Sequence, residues 1–123
     1  LAEPEVRLEM RCIAGEIHPL LDQVARRLNS RKISVTRGKR GAIVRSATGE
    51  SVDVPAFVFN AVDRVGAGDA YLSVTAPAAF LDAPDEVIGL IGNALGSMAV
   101  EIIGNQRAVE LLALKKHITS ILK

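Results

Sequence analysis

Apolar residues recur at helical spacing over residues 16–28, where Ile17, Leu20, Leu21, Val24 and Leu28 fall on one face and Pro19 falls in the first turn. This spacing predicts a helix with one buried face. Residues 31–37, "RKISVTR", form a short β-rich run ended by Gly38. The runs "GAIVRS" and "ESVDVPAF" then flank "ATG", which predicts a hairpin with a tight turn. A further helix is expected over 68–80. Pro77 should kink or end it, since proline lacks an N–H and crowds the turn at Ser73. Residues 85–103 form the most regular helical pattern, with Pro84 or Asp85 at its start and Ile88, Ile91, Leu95, Met98 and Ile102 on one face. A last helix over 109–122 closes the chain, and no internal repeat, linker or low-complexity tract interrupts these elements.

The 85–103 helix also carries Gly89, Gly92 and Gly96, each of which costs about 1 kcal/mol relative to alanine in a helix interior. Something must offset that cost. Tight packing against a neighbouring element is the simpler explanation. A flat ligand approaching the stripe, with Asn93 beside it to donate and accept hydrogen bonds, is the other.

With 123 residues, 49% of them hydrophobic, the chain can bury a core and reads as one compact domain. Its 15 basic and 14 acidic residues leave a net charge of +1, so no broad field favours a nucleic acid or an anionic membrane. Cys12 is the lone cysteine and cannot form an intramolecular disulfide; no leader or long apolar run is present, so a cytoplasmic location is expected. His18 and His117 are far apart, which leaves no spacing for a soft-metal site, although a hard cation held by oxygens remains open.

The stretch "FNAVDRVGAGDAYLS", residues 59–73, carries the candidate chemistry. Gly66-Ala67-Gly68 lies between the carboxylates of Asp63 and Asp69 and feeds a helix, so free backbone N–H groups and the positive end of the helix dipole converge there on a seat for an anion. It is neither a P-loop, which needs Gly-x-x-x-x-Gly-Lys-Ser/Thr, nor a dinucleotide fingerprint, whose third glycine is missing. Taken alone, Asp69 reads as an acidic residue favourably placed in a first helical turn.

"DRVGAGDAY" resembles the C-terminal signature of ribokinase-like (PfkB-type) carbohydrate kinases, Asp-Thr-x-Gly-Ala-Gly-Asp-x-Phe. "VTRGKRGAIV" upstream and "GNALGSMAVEIIGN" downstream are similar to that family's nucleotide-side strand-turn and later helix. The likeness spans nearly the whole chain. "DRVGAGDA" with "IGN" also resembles the kinase-like half of heptose kinase or ADP-heptose synthase proteins.

The resemblance implies an α/β fold, a three-layer α/β/α ribokinase-like architecture of which residues 1–123 are the C-terminal portion. It implies ATP with Mg2+ as cofactor. Asp69 would be the base that takes a proton from a sugar hydroxyl, and the N–H groups of Gly66, Ala67 and Gly68 would form the anion hole. Thr36, Gly38 and Gly41 would lie along the nucleotide, with Asn93 near its base or ribose. Asp63 would hold a monovalent cation together with carbonyls near Val65 and in the loop ending at Gly104, and Glu5 would take the magnesium-linked place. Arg37, Lys39 and Arg40 would be within reach of phosphates but, on a hairpin, read more simply as a solvated surface.

Three positions depart from the family pattern: Arg64 stands for the usual Thr, Tyr71 for Phe, and Ala2 for the Asn of the magnesium-linked segment. The sugar-binding half is also absent from this length. The expected function is the nucleotide-binding and catalytic-base part of an ATP-dependent sugar kinase, inactive in isolation. Its expected partners are a sugar or sugar phosphate, and an N-terminal kinase half or a second copy. The other reading is a non-catalytic nucleotide-binding or assembly module that keeps the fold.

Overall fold

A computed structural model describes residues 1–57, 65–102 and 108–123. Helix α1 spans Glu3–Glu9. Pro4 and two acids occupy its first turn, and the Glu5 carboxylate accepts a hydrogen bond from the Ala2 N–H at 2.7 Å. The periodicity did not predict it, because seven residues are too few to establish a period. Helix α2, His18–Leu28, begins with Pro19 in its first turn and stops at Asn29, whose left-handed conformation (φ 48°) reverses the chain. Leu20, Leu21 and Val24 are buried as predicted, whereas Leu28, at the end of the helix, is 61% exposed.

Strands β1 (Ile33–Thr36), β2 (Ala42–Arg45) and β3 (Ser51–Val54) form an antiparallel sheet in sequence order. A 3-10 turn over Gly38–Arg40 joins the first two, and the Ala47-Thr48-Gly49 turn joins the second pair, with Gly49 at φ 96°. Val35 pairs with Ile43 and Val44 with Val52. On the outer edge of β1, Leu1 and Ala2 lie parallel to the strand: the Thr36 N–H donates to the Leu1 carbonyl at 2.9 Å.

The alternation of strand side chains builds three layers. Ile33, Val35 and Ile43 point to one face and pack with Val6 of α1 and Leu20, Leu21 and Val24 of α2. Val44 and Val54 point to the other, where they meet α4, Asp85–Ala99. Helix α3, Ala67–Phe80, lies antiparallel beside α4, and α5, Leu111–Ile121, covers α4 from outside through Leu114 against Ala94 and Leu95. The sequence-based expectation of a three-layer α/β/α fold is what the structure has.

Helix α3 passes through Pro77 and ends at Phe80, where the expected range of 68–80 ended. Pro77 and Ser73 both sit on the exposed side of the helix, where water can satisfy the carbonyl that proline leaves without a partner, while the buried face through Tyr71 and Thr75 continues undisturbed. Helix α4 ends at Ala99 rather than 103.

Packing explains two of the three α4 glycines. A Cβ at Gly89 would come within 2.4 Å of Val54, and one at Gly92 within 2.4 Å of Tyr71. Both allow close approach, to the sheet and to α3 respectively. Gly96 is different: a Cβ there would meet only the Ala67 carbonyl, at an ordinary 3.8 Å, and the residue lines a cleft.

Candidate active site

The turn before α3 depends on Gly66, which caps the helix at φ 82°, a left-handed conformation that glycine adopts without strain. The Gly66 carbonyl receives the first helical hydrogen bond, from the Ala70 N–H at 2.9 Å. The N–H groups of the preceding helical residues have no partner within the helix and no side chain caps them. A Cβ at Gly68 would have nothing within 4 Å. Packing therefore does not demand a glycine here, and the space it leaves belongs to a cleft.

That cleft, about 870 Å³, lies between α1, the Gly38–Arg40 turn, the start of α3 and the face of α4. It gathers Thr36, Gly38, Gly41, Ala67, Gly68 and Asn93, residues spread over most of the chain. A second cleft of about 550 Å³ holds Asp69 and Glu5. Ala2, Thr36, Gly68 and Tyr71 line both, so Gly68 is part of a shared wall with Asp69 on its far side.

Gly41 and Asn93 grip the same backbone from two directions. Gly41 has φ 84°, and a Cβ on it would lie 2.0 Å from the Val54 carbonyl oxygen and 2.7 Å from the Ala56 nitrogen. Buried Asn93 donates through Nδ2 to the carbonyls of Val54 (3.0 Å) and Pro55 (2.8 Å). Both residues thus fix the exit of β3 as well as lining the cleft.

Tyr71 is buried, with its phenol oxygen 2.6 Å from Ser34 Oγ and its ring against Gly92. Burial pushes its hydroxyl pKa up, against the smaller opposing effect of the Ser34 hydrogen bond.

Glu3 is a site residue that sequence reasoning missed. It is only 4% exposed. Arg7 Nε donates to Oε1 at 2.8 Å and Arg40 Nη2 to Oε2 at 2.6 Å, with Arg37 Nε 3.5 Å from Oε2. Burial raises the Glu3 pKa, but the hydrogen bonds and charges of Arg7 and Arg40 together outweigh it and hold the carboxyl below its ordinary value. The Glu3–Arg7 spacing of four was visible in sequence; the approach of Arg37 and Arg40 from the hairpin was not. Arg37, expected to be solvated, has a side chain only 16% exposed and also pairs with Asp53 at 2.5 Å. Arg40 is 62% exposed, closer to expectation.

Asp63, Arg64 and Gly104, the positions invoked for a monovalent cation and an altered phosphate contact, lie outside the described residues. Among the described residues, no group of three or more His, Cys, Asp or Glu side chains could hold a metal ion, and no helix is long and apolar enough to cross a membrane.

The chain has a sheet between two helical layers and a glycine turn that opens into a cleft at a helix start, and solved structures of ribokinase-like kinases superpose on nearly all of it. Phosphofructokinase-2 from Escherichia coli in complex with potassium matches 99% of it, with a TM-score of 0.84 at 16% identity. Arabidopsis thaliana ribokinase complexed with ribose and ATP matches 95%, with a TM-score of 0.77 at 18% identity. An Escherichia coli protein described as a ribokinase II, in complex with ATP and Mg2+, matches 97%, with a TM-score of 0.79 at 23% identity. The model of the pfkB family of carbohydrate kinases matches residues 8–111, and the chain belongs to that family. No curated protein matches it. The chain covers 40%, 39% and 38% of the three solved chains respectively, about two fifths of their length.

Proposed function

We propose that this chain is the nucleotide-binding and catalytic-base part of an ATP-dependent sugar kinase. The observation that carries this reading is the shared wall at Gly68: the candidate nucleotide residues lie in one cleft and Asp69 in the other. A phosphoryl group seated at the Gly66–Gly68 turn would then stand between a nucleotide and an attacking hydroxyl.

The residues fit the group. The larger cleft, about 870 Å³, falls in the usual range of ligand sites, roughly 300–1,000 Å³. The open space at Gly68 lets phosphate oxygens approach the backbone. ATP supplies the transferable phosphoryl group, and Mg2+ neutralises charge on its oxygens. Magnesium commonly takes one or two carboxylates besides phosphates and water; Glu5, exposed at the second cleft, is the candidate that would hold it. The free N–H groups at the start of α3 meet charge that develops on the phosphoryl oxygens, and Asp69 accepts the proton of the sugar hydroxyl.

Exposed Leu1, Leu28 and Leu72 line the second cleft and make an apolar face on which a sugar-binding half or a second copy would dock. Light scattering of the isolated chain should show self-association; a monomer at all concentrations counts against that docking face.

Ala2 favours the second reading, a non-catalytic nucleotide-binding or assembly module, because its methyl group cannot supply the amide of the family's magnesium-linked segment. The two readings share nucleotide binding and part at chemistry. Calorimetric titration with Mg-ATP tests what they share. Saturable binding that Gly68→Val weakens is expected, and no binding up to millimolar ATP would remove both.

A further inference from the structure

The function proposed above gives no role to the cationic wall of the larger cleft. Arg7, Arg37, Lys39 and Arg40 all line it, and among the described residues Glu3 is its one acidic lining residue. Two of the arginines are built into the fold. Arg7 is largely buried, bound to Glu3 and to the Gly15 carbonyl, and Arg37 is divided between Glu3 and Asp53. Arg40 is not. It sits on the exposed 3-10 turn between Gly38 and Gly41, its side chain is 62% exposed, and the partner of its guanidinium among the described residues is Glu3 Oε2 at 2.6 Å. Lys39 beside it is exposed. The wall thus holds one carboxylate that Arg7 hydrogen-bonds and that Arg37, whose Nε lies 3.5 Å from Oε2 without a hydrogen-bond partner among the described residues, faces as a second cation; when Arg40 leaves Oε2, the buried charge keeps two buried counter-charges.

We propose that Arg40, assisted by Lys39, is a phosphate-chain-reading residue that exchanges its contact with Glu3 for the oxygens of a condensed phosphate chain bound in this cleft. The proposal rests on the nucleotide reading of the cleft and deepens it by assigning discrimination between triphosphate and monophosphate ligands. A guanidinium presents two parallel donors that match phosphate oxygens, and a multiply charged chain answers the surplus of positive charge on this wall better than a single carboxylate or one phosphate does. Glu3 then serves as a holding partner that keeps Arg40 ordered over the cleft before the ligand arrives.

The test is calorimetric titration of the chain and its variants with ATP, AMP and inorganic triphosphate, without magnesium, beside melting curves. Arg40→Gln should weaken ATP and triphosphate binding on the order of tenfold, the usual worth of a charged hydrogen bond, while AMP affinity changes by less than about twofold. Arg40→Lys, which keeps a cation, should recover part of the loss, and so separates lost charge from an altered fold. Equal losses for ATP and AMP, or unchanged triphosphate binding in Arg40→Gln at an unchanged melting temperature, would overturn the proposal. Wild-type binding of ATP with no response to Arg40 removes the phosphate reader and leaves the nucleotide site. Binding of triphosphate that depends on Arg40, with no gain from the nucleoside in ATP, does the reverse. A chain that binds neither triphosphate nor ATP loses both.

Discussion

The phenol oxygen of Tyr71 lies 2.6 Å from the hydroxyl of Ser34, and this contact joins the first turns of α3 to the middle of β1. Tyr71 follows Asp69 by two residues and lines both clefts, so the pair bears on how the candidate base is aimed. Tyr71→Phe removes the hydrogen bond and keeps the ring against Gly92. The expected loss is about 1 kcal/mol, the net value of one such bond, read from urea unfolding. Tyr71→Ala also empties the volume of the ring and should cost about 3–5 kcal/mol. Equal costs for the two variants would show that the hydroxyl, not the ring, carries the contribution.

Two kinds of glycine environment predict two responses to alanine. Gly89→Ala and Gly92→Ala place a Cβ 2.4 Å from Val54 and Tyr71, so overpacking should destabilise by about 1–3 kcal/mol despite the gain in helix propensity. Gly68→Ala meets open space and should leave the melting temperature unchanged or slightly raised. Thermal melts of the three variants decide it; a large destabilisation at Gly68 would mean that the fold, rather than a ligand, requires glycine there.

Glu3 should shape the acid limb of stability. Its folded pKa is depressed, so its contribution is fully present above the ordinary carboxylate value of 4.5 and is lost as pH falls through the lower folded value. Glu3→Gln leaves the buried cations of Arg7 and Arg37 without their counter-charge and should cost about 3 kcal/mol near neutrality. The wild-type and variant curves should converge as the pH drops below 4.5. Urea unfolding from pH 7 to pH 3 measures this, and parallel curves would show that Glu3 is not the titrating group.

Asp69 separates the kinase reading from the binding-module reading. In the complete enzyme, Asp69→Asn should cut turnover on the order of 10²-fold or more, because a base acts at the chemical step. ATP affinity should hold or improve slightly as a negative charge near the phosphates disappears. Single-turnover phosphoryl transfer beside a melting curve is the measurement, and unchanged chemistry would leave the glycine turn as an anion seat alone.

Local pattern was enough for α2, the hairpin, α4 and α5, since their buried faces repeat at 3.6 or 2.0 residues and a period is a property of consecutive side chains. It was also enough for the Gly-Ala-Gly-Asp turn, whose residue types state their own backbone needs. It failed for α1, too short to show a period. It placed the end of α3 at residue 80, but how far the helix runs past Pro77 depends on whether the carbonyl of Ser73 faces water. Tertiary structure decided the rest. Gly89 and Gly92 serve packing because Val54 and Tyr71, 35 and 21 residues away, come to rest against them. Thr36, Gly38, Gly41 and Asn93 share a cleft with Gly68 because the strand order and the α3–α4 pairing bring them there, while Asp69, the next residue along, faces a different one. The Glu3–Arg40 contact spans 37 positions, and its formation depends on α1 settling over the turn that joins β1 to β2. Sequence spacing carries information about neighbours along a chain; which charges meet across a cleft depends on how the layers stack.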